Sequence, residues 1–159
     1  MNEIRTGLGW DTHRLVAGRP LVLGGVAVPC DMGLEGHSDA DVLAHAITDA
    51  LLGAAALGDI GMHFPDNDPQ WKDGDSLQFL AHTAGLVREC GFAILCVDAT
   101  VIIERPKLKE FRAPIRQSLA NTLTLEIEQV SVKFKTAEGV GPVGLGLSAE
   151  AQAIATLAR

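Results

Sequence analysis

Segments with strand period and segments with helix period interleave along the whole chain, which limits the fold to the α/β or α+β classes. Residues from about Ile4 to Arg14 read as a first strand. Leu21-Val22-Leu23 and Val26-Ala27-Val28, split by Gly24-Gly25, read as a short hairpin. The clearest helix opens at Ser38-Asp39-Ala40-Asp41. Ser38 or Asp39 is placed to cap it, acidic residues are expected in its first turn, and Gly58 is expected to end it. Val42, Ala46 and Ala50, with Leu43, Ile47 and Leu51, form its apolar face. Asp59 to Gly74 reads as an exposed loop, and a long loop in a compact domain is often functional. Asp75 to Gly91 reads as a second helix, with Leu77, Leu80, Ala84 and Val87 at helical spacing. Ala93 to Ile103 reads as a central strand, Phe111 to Leu123 as a third helix, and Val130 to Phe134 as a strand. The alanines of the last segment favour helix. Leu147 to Ala153 nevertheless alternates strictly between apolar and polar, so a strand is expected there.

The length of 159 residues suits one domain over 1–159 with a real core. Apolar residues make up 47% but aromatics only 4%, so aliphatic side chains must do the packing. Such a core often leaves one apolar face for oligomerisation to cover. The net charge of −7, without basic clusters, argues against nucleic acid. An anionic small substrate stays compatible if metal ions and a few lysines offset the charge locally. Cys30, Cys90 and Cys96 are uneven in spacing and odd in number, so buried reduced thiols and a reducing compartment are expected. Met1-Asn2-Glu3 is acidic, and no apolar run approaches the ~18 residues of a membrane span. A cytoplasmic protein without a targeting or membrane segment is expected.

Asp11-Thr12-His13 lies near the end of the first strand, where residues two apart share a face. Asp11 and His13 can therefore meet one ion. Carboxylate and imidazole suit zinc, whose catalytic sites use three protein ligands. His45, on the first helix between Asp41 and Asp49, is the candidate third. Taken alone, each is more often an ordinary surface or structural residue. Gly36-His37-Ser38-Asp39 runs into a helix N-terminus, where backbone N–H groups make an anion site. A plain N-cap is the competing reading. Asp59, Asp66 and Asp68 place three carboxylates on one loop, suited either to ribose hydroxyls or to solubility. Lys135, Thr136 and Glu138 follow a strand. The first two can hold phosphate oxygens and the third a magnesium ion, although strand-end lysines are usually just solvated.

Together these segments resemble the 2-C-methyl-D-erythritol 2,4-cyclodiphosphate synthase family. The resemblance covers essentially the whole chain. It rests on Gly9-Trp10-Asp11-Thr12-His13, on His37-Ser38-Asp39-Ala40-Asp41 through His45, on Thr48 through Gly61, and on Phe64-Pro65-Asp66. It implies a mixed four-stranded sheet with helices on one face, and three such subunits packed around a central axis. It implies a phosphorus–oxygen lyase that cyclises 4-diphosphocytidyl-2-C-methyl-D-erythritol 2-phosphate and releases CMP. Carried over by position, Asp11, His13 and His45 are zinc ligands, and Glu138 binds a second ion, magnesium or manganese, through the phosphates. His37 and Thr136 steady the transition state, and Ser38 contacts phosphate. Asp59 and Gly61 contact ribose, with Ile60, Phe64, Asp66, Asp68 and Lys135 also in the substrate site. Ile103 to Lys109, with Pro106 and Lys107, forms the cytosine pocket. Each site lies between two subunits of a homotrimer.

The chain departs from the family after Glu138. Pro142, Leu145 and Leu147 stand where a Phe, an Arg and a Glu are usual. In relatives that Arg can reach a phosphorylated isoprenoid in the central channel, so the resemblance does not carry that ligand over. Trp10 replaces a smaller aromatic, a change of packing alone. Two other functions compete: a metal phosphohydrolase that uses water on the same scaffold, and a non-catalytic trimeric module binding nucleotide or isoprenoid phosphate.

Overall fold

The computed structural model describes residues 3–65 and 74–159. Asp66 and Asp68 lie outside the described residues. The strands are β1 (Ile4–Ala17), β2 (Leu21–Leu23), β3 (Val26–Val28), β4 (Met32–Leu34), β5 (Ala93–Ile102), β6 (Val130–Lys135) and β7 (Ser148–Ala158). The helices are α1 (Val42–Ala55), α2 (Ile60–His63), α3 (Ser76–Glu89), α4 (Arg112–Leu123) and α5 (Gly141–Gly144). The main sheet runs β4-β1-β7-β5-β6. Among the described residues only β5 and β6 pair in parallel. The expected mixed four-stranded sheet is thus present, and the three-residue β4 adds a fifth strand against Leu15–Ala17. That pairing carries β1 past Arg14, where its pairing with β7 ends. The alternating C-terminal segment is a strand, and it shares the interior of the sheet with β5, which is central as expected and paired on both sides.

Helices α1, α3 and α4 cover one face of the sheet. The covering is unusually close over β1 and β7, where the inward side chains are small. On β7 they are Ala149, Ala151, Ala153 and Ala155, all buried. On β1 they are Gly7 and Gly9. A Cβ at Gly9 would lie 1.9 Å from the Ala46 carbonyl oxygen, and one at Gly7 2.1 Å from that of Ala50. The backbone of α1 therefore lies directly on the strands. Scarce aromatics are what such a contact requires. On the opposite face Ile4, Leu8, Trp10, Leu95 and Ile154 stand exposed, so apolar side chains on one sheet face are left uncovered within the chain.

Several local expectations are corrected. Helix α1 starts four residues after Ser38 and is capped by Asp41, with no acidic residue in its first turn. Asp39 instead reaches out to α3. The helix ends at Ala55 rather than at Gly58. Ala56 takes the left-handed conformation at φ 58°, and Leu57 closes the turn by bonding to the Leu52 carbonyl and packing on the core. Within the expected exposed loop, residues 60–63 form α2 and Phe64 is buried. The predicted second and third helices are present. The third is preceded by a 3-10 turn over Lys109–Phe111. The three cysteines are unpaired, but Cys90 and Cys96 are exposed rather than buried.

The close helix contact yields a stability test. Gly9→Ala should cost about 1–3 kcal/mol, because a methyl group is forced into backbone. Gly85→Ala, in α3 with open space around the new methyl, should be stabilising by about 0.5–1 kcal/mol. Denaturant midpoints of the two variants check both signs.

Candidate active site

Asp11 and His13 project from β1 toward α1, on the same face as Gly7 and Gly9. Because α1 lies so close, His45 in its second turn reaches down to them. Asp11 Oδ2 is 3.0 Å from His13 Nδ1 and 3.1 Å from His45 Nδ1. One ligand atom from each of the three residues lies within 4.8 Å of the others. The edge of a tetrahedron with ~2.0 Å bonds is about 3.3 Å, so the spacing suits one ion. His13 Nδ1 is buried yet lacks an aligned hydrogen bond among the described residues. A buried ring nitrogen that shares one carboxylate oxygen with a second imidazole is a donor arrangement suited to a metal ion. The donor set fits zinc. Burial pushes the Asp11 carboxyl up, but the two imidazoles outweigh it and hold the pKa at about 2. Burial lowers the His45 pKa, and the hydrogen bond that its ring donates to Asp11, with the charge of that carboxylate, more than reverses this.

The loop before α1 folds over this cluster. Gly36 lies against the His13 ring, where a Cβ would come within 3.2 Å of Nε2. Arg19 holds the loop by donating to the carbonyls of Gly36 (3.1 Å) and Ser38 (2.8 Å). Ser38 Oγ lies 3.5 Å from His45 Nε2, and His37 is exposed at the rim. The expected backbone anion site at the helix start is corrected. Asp41 takes the N–H groups of Leu43 and Ala44, Asp39 takes that of Asp41, and Ser38 that of Ala40. The chain's own side chains occupy these donors at the helix start, the Ser38 hydroxyl is turned toward His45, and His37 is the exposed side chain of the loop.

Asp49, one turn beyond His45, accepts from the Ile60 N–H at 2.7 Å and brings α2 back beside the cluster. Asp59 caps α2, and Gly61 is exposed next to it. Phe64 stacks on Phe79 at 4.8 Å, and Phe79 lies against His45 at 6.3 Å between ring centres. The three-residue metal set and the Asp59–Gly61 segment therefore share one region.

The remaining predicted residues lie elsewhere. Thr12, Glu150, Ile102 and Lys135 form one row across β1, β7, β5 and β6. Three strand spacings separate the ends of that row, about 14 Å. Lys135, Thr136 and Glu138 thus sit at the same end of the sheet as His13 but on its far edge. Thr136 donates to Glu138, and the Ala137 N–H donates to Glu104 at 3.2 Å. Pro106 and Lys107 line a separate surface pocket with Pro29, Cys30, Asp31 and Arg105. One residue went unnoticed in the sequence: Ser76, fully buried, whose Oγ is 2.8 Å from His45 Nε2. Only its place beside the capping Asp75 was visible, and nothing there points to a histidine thirty-one residues away.

The YgbB family model matches residues 4–158. The chain belongs to that family. The 2-C-methyl-D-erythritol 2,4-cyclodiphosphate synthase of Solibacter usitatus is 69% identical over 157 residues, covering 99% of both chains. Among solved structures, a 2C-methyl-D-erythritol-2,4-cyclodiphosphate synthase in its CDP-bound form matches with a TM-score of 0.90 at 40% identity, over 96% of this chain and 99% of that one. The CDP complex from Plasmodium falciparum matches at a TM-score of 0.86 and 34% identity, over 99% of this chain and 97% of that one. The resemblance read from the motifs is therefore met along nearly the whole chain. Among the described residues of this YgbB family member, no helix is long and apolar enough to cross a membrane.

The cap of α1 gives a pH test. Asp41 accepts from Leu43, Ala44 and Gly25, the last at 2.7 Å, and so ties the β2–β3 turn to the helix bearing His45. Burial pushes its carboxyl up to about 6, against the lowering effect of those backbone donors. A carboxyl with a raised folded pKa contributes stability that is fully present below its unfolded value, 3.8, and is lost as pH rises through about 6. Wild type should therefore gain stability relative to Asp41→Asn as pH falls from 8 to 5. Paired denaturation curves read that difference, and a flat difference contradicts it.

Proposed function

We propose that this chain is a 2-C-methyl-D-erythritol 2,4-cyclodiphosphate synthase, acting in isoprenoid precursor biosynthesis by the non-mevalonate route. The observation that carries the reading is the convergence of Asp11, His13 and His45 in a chain 69% identical to a protein of that name. The substrate is the CDP-linked 4-diphosphocytidyl-2-C-methyl-D-erythritol 2-phosphate. An oxygen of its 2-phosphate attacks the β-phosphorus of its diphosphate. The bond from that phosphorus to the bridging oxygen breaks, and CMP leaves with the electron pair. Such a transfer needs positioning and charge neutralisation rather than a protein nucleophile.

Asp11, His13 and His45 hold a zinc ion, which when bound supplies positive charge to the diphosphate oxygens. Glu138 holds the second divalent ion, magnesium or manganese. The exposed His37 and the Thr136 hydroxyl donate to oxygens on which charge develops, and Ser38 orients a phosphate. Lys135 adds charge to the phosphate side. Asp59 accepts from the ribose hydroxyls beside the Ile60 and Gly61 backbone, and buried Phe64 supports that loop. Asp66 and Asp68 belong to the same substrate segment. Pro106 and Lys107 form the cytosine wall.

The functional unit is a homotrimer of a single 1–159 domain with sites between subunits. Two observations support this: the exposed apolar sheet face, and the ~14 Å that separates the row ends within one chain. A neighbour can supply the Lys135–Glu138 and Pro106 side to the metal cluster of the next subunit. The cytoplasm is the proposed location. Nucleic acid and membrane are not proposed as partners.

Metal-replete protein should convert the substrate to CMP and a cyclic diphosphate. Chelation should abolish turnover, and His45→Ala should lower kcat/KM by at least about 100-fold. Product analysis decides: a linear, hydrolysed product would favour a metal phosphohydrolase, and no CMP would contradict the assignment.

A further inference from the structure

We infer that Asp39 and Ser76 act as a positioning relay behind His45, fixing its tautomer so that Nδ1 is the nitrogen offered to the metal. This rests on the metal site proposed above. The inference follows from counting donors. Asp39, as a carboxylate, only accepts. Its Oδ2 accepts from the Ser76 N–H at 3.1 Å and its Oδ1 from the Asp41 N–H at 3.2 Å. Its Oδ1 also accepts from the Ser76 hydroxyl. The single hydroxyl proton of Ser76 is thereby committed to Asp39. What Ser76 Oγ has left is a lone pair, and it lies 2.8 Å from His45 Nε2. Nε2 must then carry the proton and donate it. Nδ1, on the opposite side of the ring and 3.1 Å from Asp11 Oδ2, faces the metal cluster, and an ion bound there takes the place of the proton that Nδ1 otherwise donates to that carboxylate.

Ser38 is the competing partner for Nε2, but at 3.5 Å it is at the limit of a hydrogen bond. Ser76 is completely buried, so no water replaces it from bulk solvent. The three parts come from different elements: Asp39 from the loop before α1, His45 from α1, and Ser76 from the first turn of α3. The relay therefore also makes the docking of α3 a condition of the metal site. Orienting partners of this kind, behind a metal-bound histidine, typically change affinity by about 10–100-fold when removed.

The test is zinc affinity of the full chain, measured by competition with a chromophoric chelator, together with ¹⁵N NMR of the histidines in the zinc-loaded protein. Wild type should show His45 protonated at Nε2. Ser76→Ala should bind zinc about 10–100-fold more weakly and lose the Nε2 hydrogen-bond signature, with its zinc-free melting temperature close to wild type. Zinc binding as tight as wild type in a folded Ser76→Ala protein, or a His45 protonated at Nδ1 in wild type, would overturn the relay while leaving the metal site standing. If Ser76→Ala does not fold, Asp39→Asn reads the same relay. It should weaken zinc binding in the same direction, and unchanged affinity overturns the inference. Wild-type protein that binds no zinc would overturn the metal site itself.

Discussion

The site depends on a contact made of almost nothing: the backbone of α1 resting on Gly7 and Gly9 of β1 and on the alanine row of β7. Any larger side chain there would lift the helix by ångströms. Asp11 and His13 are fixed to the strand, and a strand does not bend to follow a displaced helix. The 3.1 Å between His45 Nδ1 and Asp11 Oδ2 is therefore set by glycines four and two residues before Asp11, not by the ligands alone. The packing that stabilises the fold is also the packing that sets the donor spacing.

Charge is arranged around the same contact. Asp11 stays ionised because two imidazoles face it. Asp41, buried without such partners, is held by three backbone N–H groups and pays for its position with a raised pKa. Asp39 completes the set by joining the pre-helix loop to α3. An acidic chain thus places its buried carboxylates where donors await them, with the Ser38 hydroxyl beside the three-residue cluster and His37 exposed next to it in sequence. The lysine-bearing edge of the sheet lies on its other side.

Much of this was legible in the residues. The interleaved periods give the fold class, and the alternation from Leu147 to Ala153 overrides the helix preference of its alanines because that strand is flanked on both sides. The pairing of Asp11 with His13 was legible once β1 was read as a strand, since the period of two puts both on one face. The start of α1 was misread because Ser38, Asp39 and Asp41 are all good caps, and only tertiary contacts decide among them. Asp39 and Ser38 are drawn away to Ser76 and Ala40, so Asp41 is left to cap. The end of α1 was misread because a glycine two residues on looked like the stop. The packing of Leu57 instead holds Ala56 in the left-handed conformation. Ser76 was invisible because its role exists only when α3 docks on α1.

The most direct test of the central claim is the metal content of protein purified without chelators. The account predicts one zinc per chain in wild type and essentially none in Asp11→Ala, with both proteins folded. Wild type without zinc, or an Asp11→Ala protein that retains a full complement, would contradict it.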